Sequence, residues 1–195
     1  MQRLRIADNA ELEFHWFCEP SEWEIRGKEV FMVTDASTDF WQRSHYGFRR
    51  DNGHLLYTFL KKDFVMTATA RFVPVNQYDQ AGLMVRVSPS CWLKTSVEYE
   101  CEEPAKLGAV VTNSGYSDWS TQDVPSNTRQ ITLKVERNGP VLRVFFKQDD
   151  WIQIRLAHMI EDDGKLPLMG GIYACSPKGK GFSAVFSDFS VITHK

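Results

Sequence analysis

The chain has 195 residues, 43% of them hydrophobic and 13% aromatic, which suffices for one large core and, at this length, for a single domain over 1–195. A formal charge of −2 leaves no basic excess to follow a phosphate backbone, so nucleic acid is not an expected partner. The apolar runs are only a few residues long, far short of a membrane span.

The N-terminal stretch MQRLRIADNAELEFHWF lacks the apolar centre of a signal peptide, so the expected location is the cytoplasm. Period-two alternation begins there, with Leu12-Glu13-Phe14-His15-Trp16. Cys18 follows; with Cys91, Cys101 and Cys175 it makes four cysteines and no Cys-x-x-Cys pair, so buried free thiols are expected and a zinc site is not. Trp23 to Arg26 and Val30 to Val33 read as two strands split by a Gly27-Lys28 turn. Asp35 to Gly53 breaks the pattern. It has no clean periodicity, yet it holds Phe40, Trp41, His45, Tyr46 and Phe48. Such a loop either serves a site or plugs the edge of a sheet.

Leu55 to Leu60 and Phe64 to Phe72 return to strand patterning. Asp79 to Glu100 reads as a hairpin turning at Ser88-Pro89-Ser90. One face is apolar: Ala81, Leu83, Val85 and Val87, then Leu93, Thr95, Val97 and Tyr99. The other carries Gln80, Met84 and Arg86, then Trp92, Lys94, Ser96, Glu98 and Glu100, with Gly82 at its centre. Placing Arg86 opposite Trp92 puts Met84 against Lys94, Gly82 against Ser96 and Gln80 against Glu98. That face is either solvated or the floor of a site. Gly82 weakens a strand, and its expected reason is room for a close approach.

Leu107 to Asn113 is a further strand, and Asn113 to Ser120 reads as a loop by composition. Ile131 to Glu136 leads into Asn138-Gly139, a strong hairpin signal, with Val141 to Lys147 as the return strand. Asp149-Asp150 turns into Trp151 to Leu156, and Gly170 to Cys175 and Phe182 to Ile192 close the series. Only His158 to Asp163 has room for a helical turn. The expected fold class is all-β: a single antiparallel β-sandwich or jelly roll.

Several of these segments together resemble a known family. They are Tyr78-Asp79-Gln80-Ala81-Gly82-Leu83-Met84-Val85-Arg86, Trp92-Leu93-Lys94, Val97-Glu98-Tyr99, Val110-Val111-Thr112, Ser117-Asp118-Trp119-Ser120, Gly171-Ile172-Tyr173-Ala174-Cys175-Ser176-Pro177 and Phe186-Ser187-Asp188-Phe189. The pattern is similar to that of the regulation-of-enolase-like proteins. The resemblance implies the concanavalin A-like lectin/glucanase fold, whose members use a concave sheet face for sugar. It implies function far less firmly than fold.

The polar face of the hairpin is the candidate for that concave face. Its ligand-binding candidates are Gln80, Arg86, Trp92, Lys94 and Glu98. Arg86 and Lys94 suit an anionic group, and Trp92 offers a flat platform for a sugar ring unless it is a buried edge residue. Lys94 and Glu98 hold a ligand or form a surface ion pair. Asp118 contacts a ligand or caps its loop through an Asx-turn, and Trp119 is a second platform or an anchor. Trp41 and His45 join the candidates from the aromatic loop. Glucanases of this fold carry Glu, Asp and Glu at alternate strand positions. Glu98, Glu100 and Glu102 match in spacing, which makes Glu98 and Glu102 an alternative catalytic pair of a glycoside hydrolase. Glu100 replaces the Asp, and Glu103-Pro104 signals a turn before the pair is complete. No histidine spacing or Asp/Asn cluster suggests a metal, and no motif suggests a cofactor. The expected function is non-catalytic binding of a carbohydrate or sugar phosphate. The alternative is a regulatory module that binds a metabolic enzyme.

Overall fold

The computed structural model describes residues 3–5 and 11–193. Part of the segment read for a signal peptide, and His194, lie outside the described residues. Alternating apolar residues build two antiparallel sheets of seven strands each. The first runs from edge to edge as β13 (Tyr116–Val124), β12 (Ala105–Asn113), β11 (Cys91–Glu98), β10 (Gln80–Ser88), β17 (Leu168–Cys175), β8 (His54–Leu60) and β3 (His15–Phe17). The second runs as β16 (Trp151–His158), β15 (Val141–Lys147), β14 (Gln130–Asn138), β9 (Phe64–Val73), β18 (Ser183–Thr193), β5 (Glu29–Val33) and β4 (Glu22–Arg26). Two small ribbons accompany them: β1 (Arg3–Arg5) with β2 (Glu11–Glu13), and β6 (Phe40–Gln42) with β7 (Arg49–Asp51).

The sheets form a β-sandwich whose core lies between them. Ala81, Leu83, Val85, Leu93 and Val97 from β10 and β11 meet Phe64, Met66 and Phe72 from β9 and Phe186 from β18. The β10–β11 register pairs Gln80 with Glu98, Gly82 with Ser96, Met84 with Lys94 and Arg86 with Trp92, as the alternation predicts. The Asn138-Gly139 hairpin forms as expected, with Gly139 at φ 54°.

Four expectations need correction. Leu12 to Trp16 is not one strand: β2 and β3 are separated by Phe14, whose ring is buried in the core. Asn113 to Ser120 is not a loop. Only Ser114 and Gly115 turn, both at positive φ, and β13 starts at Tyr116. It is an edge strand, and most of its side chains are at least partly exposed, so polar residues fit it. His158 to Asp163 holds a turn closed by Asp162 N–H donating to Met159 O at 3.1 Å, not a helix. All four cysteines are free, but only Cys91 and Cys175 are buried.

The face of the first sheet turned away from the core is covered as well. The aromatic loop lays Phe40 and Trp41 over it, and these pack with Leu55, Met84, Trp92, Val110, Tyr173 and Cys175 into a second apolar cluster. The same face explains Gly82. A Cβ there would stand 1.9 Å from Thr95 O, so the sheet backbone itself forbids a side chain. Tyr173 pairs with Gly82 on one side and Ser96 pairs with it on the other. The Tyr173 hydroxyl lies 2.8 Å from Ser96 Oγ, so its ring crosses over Gly82. The close approach expected at Gly82 is made from within the protein, by Tyr173 and the Thr95 backbone. Gly82→Ala should therefore lower the unfolding free energy by roughly 1–3 kcal/mol, read by urea denaturation. A loss below about 0.5 kcal/mol, the scale of an ordinary surface change, would contradict this account of Gly82.

Candidate functional site

The loop is pinned to the sheet by charges that face inward. Lys94 on β11 is buried, and its Nζ donates to Asp39 Oδ1 at 3.2 Å. Burial opposes the lysine charge, but attraction to Asp39 prevails and holds its pKa above the ordinary value. Arg86 on β10 makes a two-pronged bond to Asp51, each prong 2.7 Å, and its guanidinium sits 4.5 Å from the Phe17 ring centre. At the far end, Gln42 N–H donates to Ser117 Oγ at 2.9 Å and Arg43 Nη1 donates to Gly115 O at 2.9 Å. The loop bends sharply between these anchors, with Ser37, Arg43 and His45 at positive φ.

Between loop and sheet remains a cleft of about 320 Å³. Its floor is Gln80, Lys94, Glu98 and Asp39; its walls include Trp41, Tyr46, Phe48, Tyr78 and Trp119; Arg50 and Lys178 also line it. Tyr78 is turned toward the cleft at a φ of 72°. That backbone is held by the neighbouring Asp79, fully buried, whose Oδ2 accepts from Val75 N–H and Asn76 N–H, both 2.8 Å. Non-glycine residues in this conformation cost energy and gather where a site over-determines them.

Polar contacts on the floor are ordered. Tyr173 Oη donates to Gln80 Oε1 at 3.1 Å, which fixes the amide so that Nε2 donates to Tyr78 O at 3.1 Å and to Glu98 Oε2 at 2.7 Å. Burial pushes the Glu98 acid up to about 8; Lys94 opposes the shift, and Asp39 and Glu100 add to it. Glu98 therefore rests mainly as the neutral acid at pH 7, while Asp39 serves as the partner of Lys94.

The sequence candidates divide accordingly. Gln80, Lys94, Glu98, Trp41 and Trp119 meet in one cleft. Trp92 does not: it is fully enclosed beneath Phe40, with ring centres 6.1 Å apart, and cannot serve as a sugar platform. Arg86 is buried and committed to Asp51, so it is not free to take an anion. His45 meets Tyr46 edge-on, with ring centres 4.7 Å apart, outside the cleft lining. Asp118 points away from its neighbour Trp119, as alternate strand residues must, into a separate groove where Arg155 Nη2 lies 3.1 Å away. Glu102 cannot pair with Glu98 on the sheet: β11 ends at Glu98, and Glu102 is exposed in the turn that follows. Asp39, Tyr78, Arg50 and Lys178 are not among the sequence candidates, because each lies in a stretch, Arg50 in the short β7, without the apolar alternation that assigns a side chain to a face. Among the described residues, no group of three His, Cys, Asp or Glu side chains is placed to hold a metal.

Residues 16–194 match the family described as "Protein of unknown function (DUF1349)". The chain belongs to that family. It is 35% identical over 178 residues to Regulation of enolase protein 1 of Saccharomyces cerevisiae, covering 90% of this chain and 87% of the relative. The crystal structure of a functionally unknown protein from Saccharomyces cerevisiae superposes with a TM-score of 0.85 at 34% identity, over 93% of this chain and 97% of that one. Two more distant structures share the fold. A GH43 protein, BlXynB of Bacillus licheniformis, has a TM-score of 0.71 at 20% identity, over 96% of this chain and 38% of that one. The carbohydrate-binding module CBM66 of Bacillus subtilis has a TM-score of 0.59 at 13% identity, over 91% of this chain and 95% of that one. The sandwich is thus of the lectin/glucanase-like kind that the sequence resemblance implies.

The state of Glu98 predicts a pH effect on stability. Between the ordinary value of 4.5 and about 8, the folded chain holds a proton at Glu98 that the unfolded chain has released. Stability from this group is complete below 4.5 and is lost as pH rises through about 8. Glu98→Gln keeps an acceptor for Gln80 Nε2 but carries no charge to bury. Its melting temperature should exceed the wild type's by about 4 °C or more at pH 9, with the gap closing toward pH 4.5. An equal melting temperature for the two proteins at pH 9 would show that Glu98 ionises there without strain.

Proposed function

We propose that the chain is a non-catalytic module that binds a carbohydrate or a sugar phosphate in the cleft beneath the aromatic loop. The observation that carries this reading is the pairing of a floor of ordered polar groups with aromatic walls. Lys94 and Glu98, the latter oriented by Gln80, offer fixed polar partners to hydroxyl groups, and Trp41, Tyr78 and Trp119 offer apolar faces to the carbon skeleton of a ring. The likeness to CBM66 and to a GH43 protein fits this reading through the fold alone; the weight rests on the cleft.

A hydrolytic reading is weaker. Glycoside hydrolysis needs two carboxyl groups free to act on either side of one bond. Here Glu102 has left the sheet, and Asp39 is occupied by Lys94 and by Phe40 N–H, 2.7 Å from Oδ1.

A regulatory role toward a metabolic enzyme is the second reading. It is favoured by the identity to a protein named for enolase regulation and by Tyr46 and Phe48, which stand 53% and 41% exposed at the loop tip. Capture of an enolase from extract, lost on Tyr46→Ala with Phe48→Ala, supports this reading; no recovery of a glycolytic enzyme counts against it.

Calorimetric titration with a panel of hexoses and hexose phosphates tests the leading reading. Saturable binding is expected for at least one of them. Trp119→Ala, a change at a half-buried edge-strand residue, should weaken it by at least about tenfold, or about 1.4 kcal/mol. No binding heat from any member at millimolar concentration would overturn it.

A further inference from the structure

The cleft has an excess of positive charge that the protein does not itself neutralise. Its charged lining residues are Asp39, Arg50, Lys94, Glu98 and Lys178. Asp39 is matched by Lys94. Arg50 and Lys178 form no ion pair among the described residues. Arg50 Nη1 donates only to Ser37 O, at 3.1 Å. Lys178 Nζ donates to Gln77 Oε1 at 2.8 Å and sits 4.4 Å from the centre of the Tyr78 ring. Both side chains are on exposed residues that border the cleft and can reach a ligand without unfolding anything.

The floor presents a donor rather than a charge. Gln80 is locked by Tyr173 and Tyr78 so that it can offer only N–H to Glu98. Glu98 Oε2 must accept that bond, which leaves the second oxygen, without a partner among the described residues, to carry the acid proton. The groups that act on Glu98 are Lys94, Asp39, Glu100, Tyr46, Tyr78, Tyr173 and Cys175. Burial raises the phenols and the thiol above their ordinary values, so they stay neutral beside it at pH 7. With Glu98 also neutral, three cations face one anion across the lining.

Resting on the binding reading above, we propose that the ligand of this cleft is a hydroxyl-rich anion, a sugar bearing a carboxylate or a phosphate. Its negative group is met by Arg50 and Lys178, and one of its oxygens accepts a hydrogen bond from the acid O–H of Glu98. The rim supplies the long-range attraction, and charge-assisted bonds there are the strong ones. Glu98 supplies specificity, because ionising it would set a second negative charge against the ligand.

Titrations with glucose, glucuronate and glucose 6-phosphate test this. Either anion, or both, should bind at least about tenfold more tightly than glucose, and the one that does names the charged group. The double change Arg50→Ala with Lys178→Ala, both at exposed positions, should remove most of that advantage. Glucuronate does not titrate above neutrality, so its affinity reads Glu98: it should fall about tenfold from pH 7 to pH 9 in the wild type. Glu98→Gln should abolish this pH dependence, a readout that loss of folding cannot imitate. Equal binding of glucose and both anions would overturn the proposal and leave sugar binding intact. An affinity for glucuronate that is flat from pH 7 to pH 9 would overturn the role of Glu98. Absence of binding by all three would overturn the proposal, while the reading it rests on falls only if the full panel of hexoses and hexose phosphates also gives no binding heat.

Discussion

The contact on which the rest depends is the buried pair between Lys94 and Asp39. A lysine on the middle of a sheet face is stable without water only if a carboxylate is brought to it. Asp39 arrives on a loop that must then lie across the sheet. Arg86 and Asp51 repeat the device along the same face. Together they turn a face that would otherwise be wet into the floor of a second apolar cluster, with Phe40 at its centre. Buried pairs of this kind add little net stability, since burial costs both charges their water. What they supply is position: leaving buried Lys94 or Arg86 without its carboxylate costs about 3–5 kcal/mol, so the loop has one place to sit.

The cleft follows from how that loop is held. The ion pairs and the Gln42–Ser117 bond fix it at separate points, and the space between them is not filled by the protein. Every group on its floor is constrained by a neighbour. Tyr173 spans Gly82, orients Gln80, and through Gln80 orients Glu98. Such a chain of fixed donors and acceptors suits recognition of a particular ligand, because little side-chain freedom is left to be lost on binding.

Much of the fold could be read from the chain. The alternation through Phe64 to Phe72 and Asp79 to Glu100 gave strands, faces and register, because one side of each packs into the core and a one-residue slip would expose it. β13 escaped notice because an edge strand does not need apolar alternation, and its Ser, Asp and Thr read as a loop. The site was half legible. Gln80, Lys94 and Glu98 stood out as unusual company for one sheet face, but a stripe of charges looks the same whether water or a loop covers it. Trp92 and Arg86 read as candidates for ligand contact for that reason: their neighbours Phe40 and Asp51 lie far back in the chain. One signal points to the covering, since the loop holding Phe40 and Trp41 also holds three carboxylates, Asp35, Asp39 and Asp51, enough for the two cations on the sheet.

The central claim is that the loop and the polar sheet face together make a ligand site. A crystal structure of the protein soaked with glucuronate tests it most directly. The account predicts a sugar ring in the cleft, packed on Trp41 or Trp119, with its carboxylate toward Arg50 and Lys178 and an oxygen within hydrogen-bond reach of Glu98. A sugar bound elsewhere on the surface, or an empty cleft at saturating concentration, would contradict it.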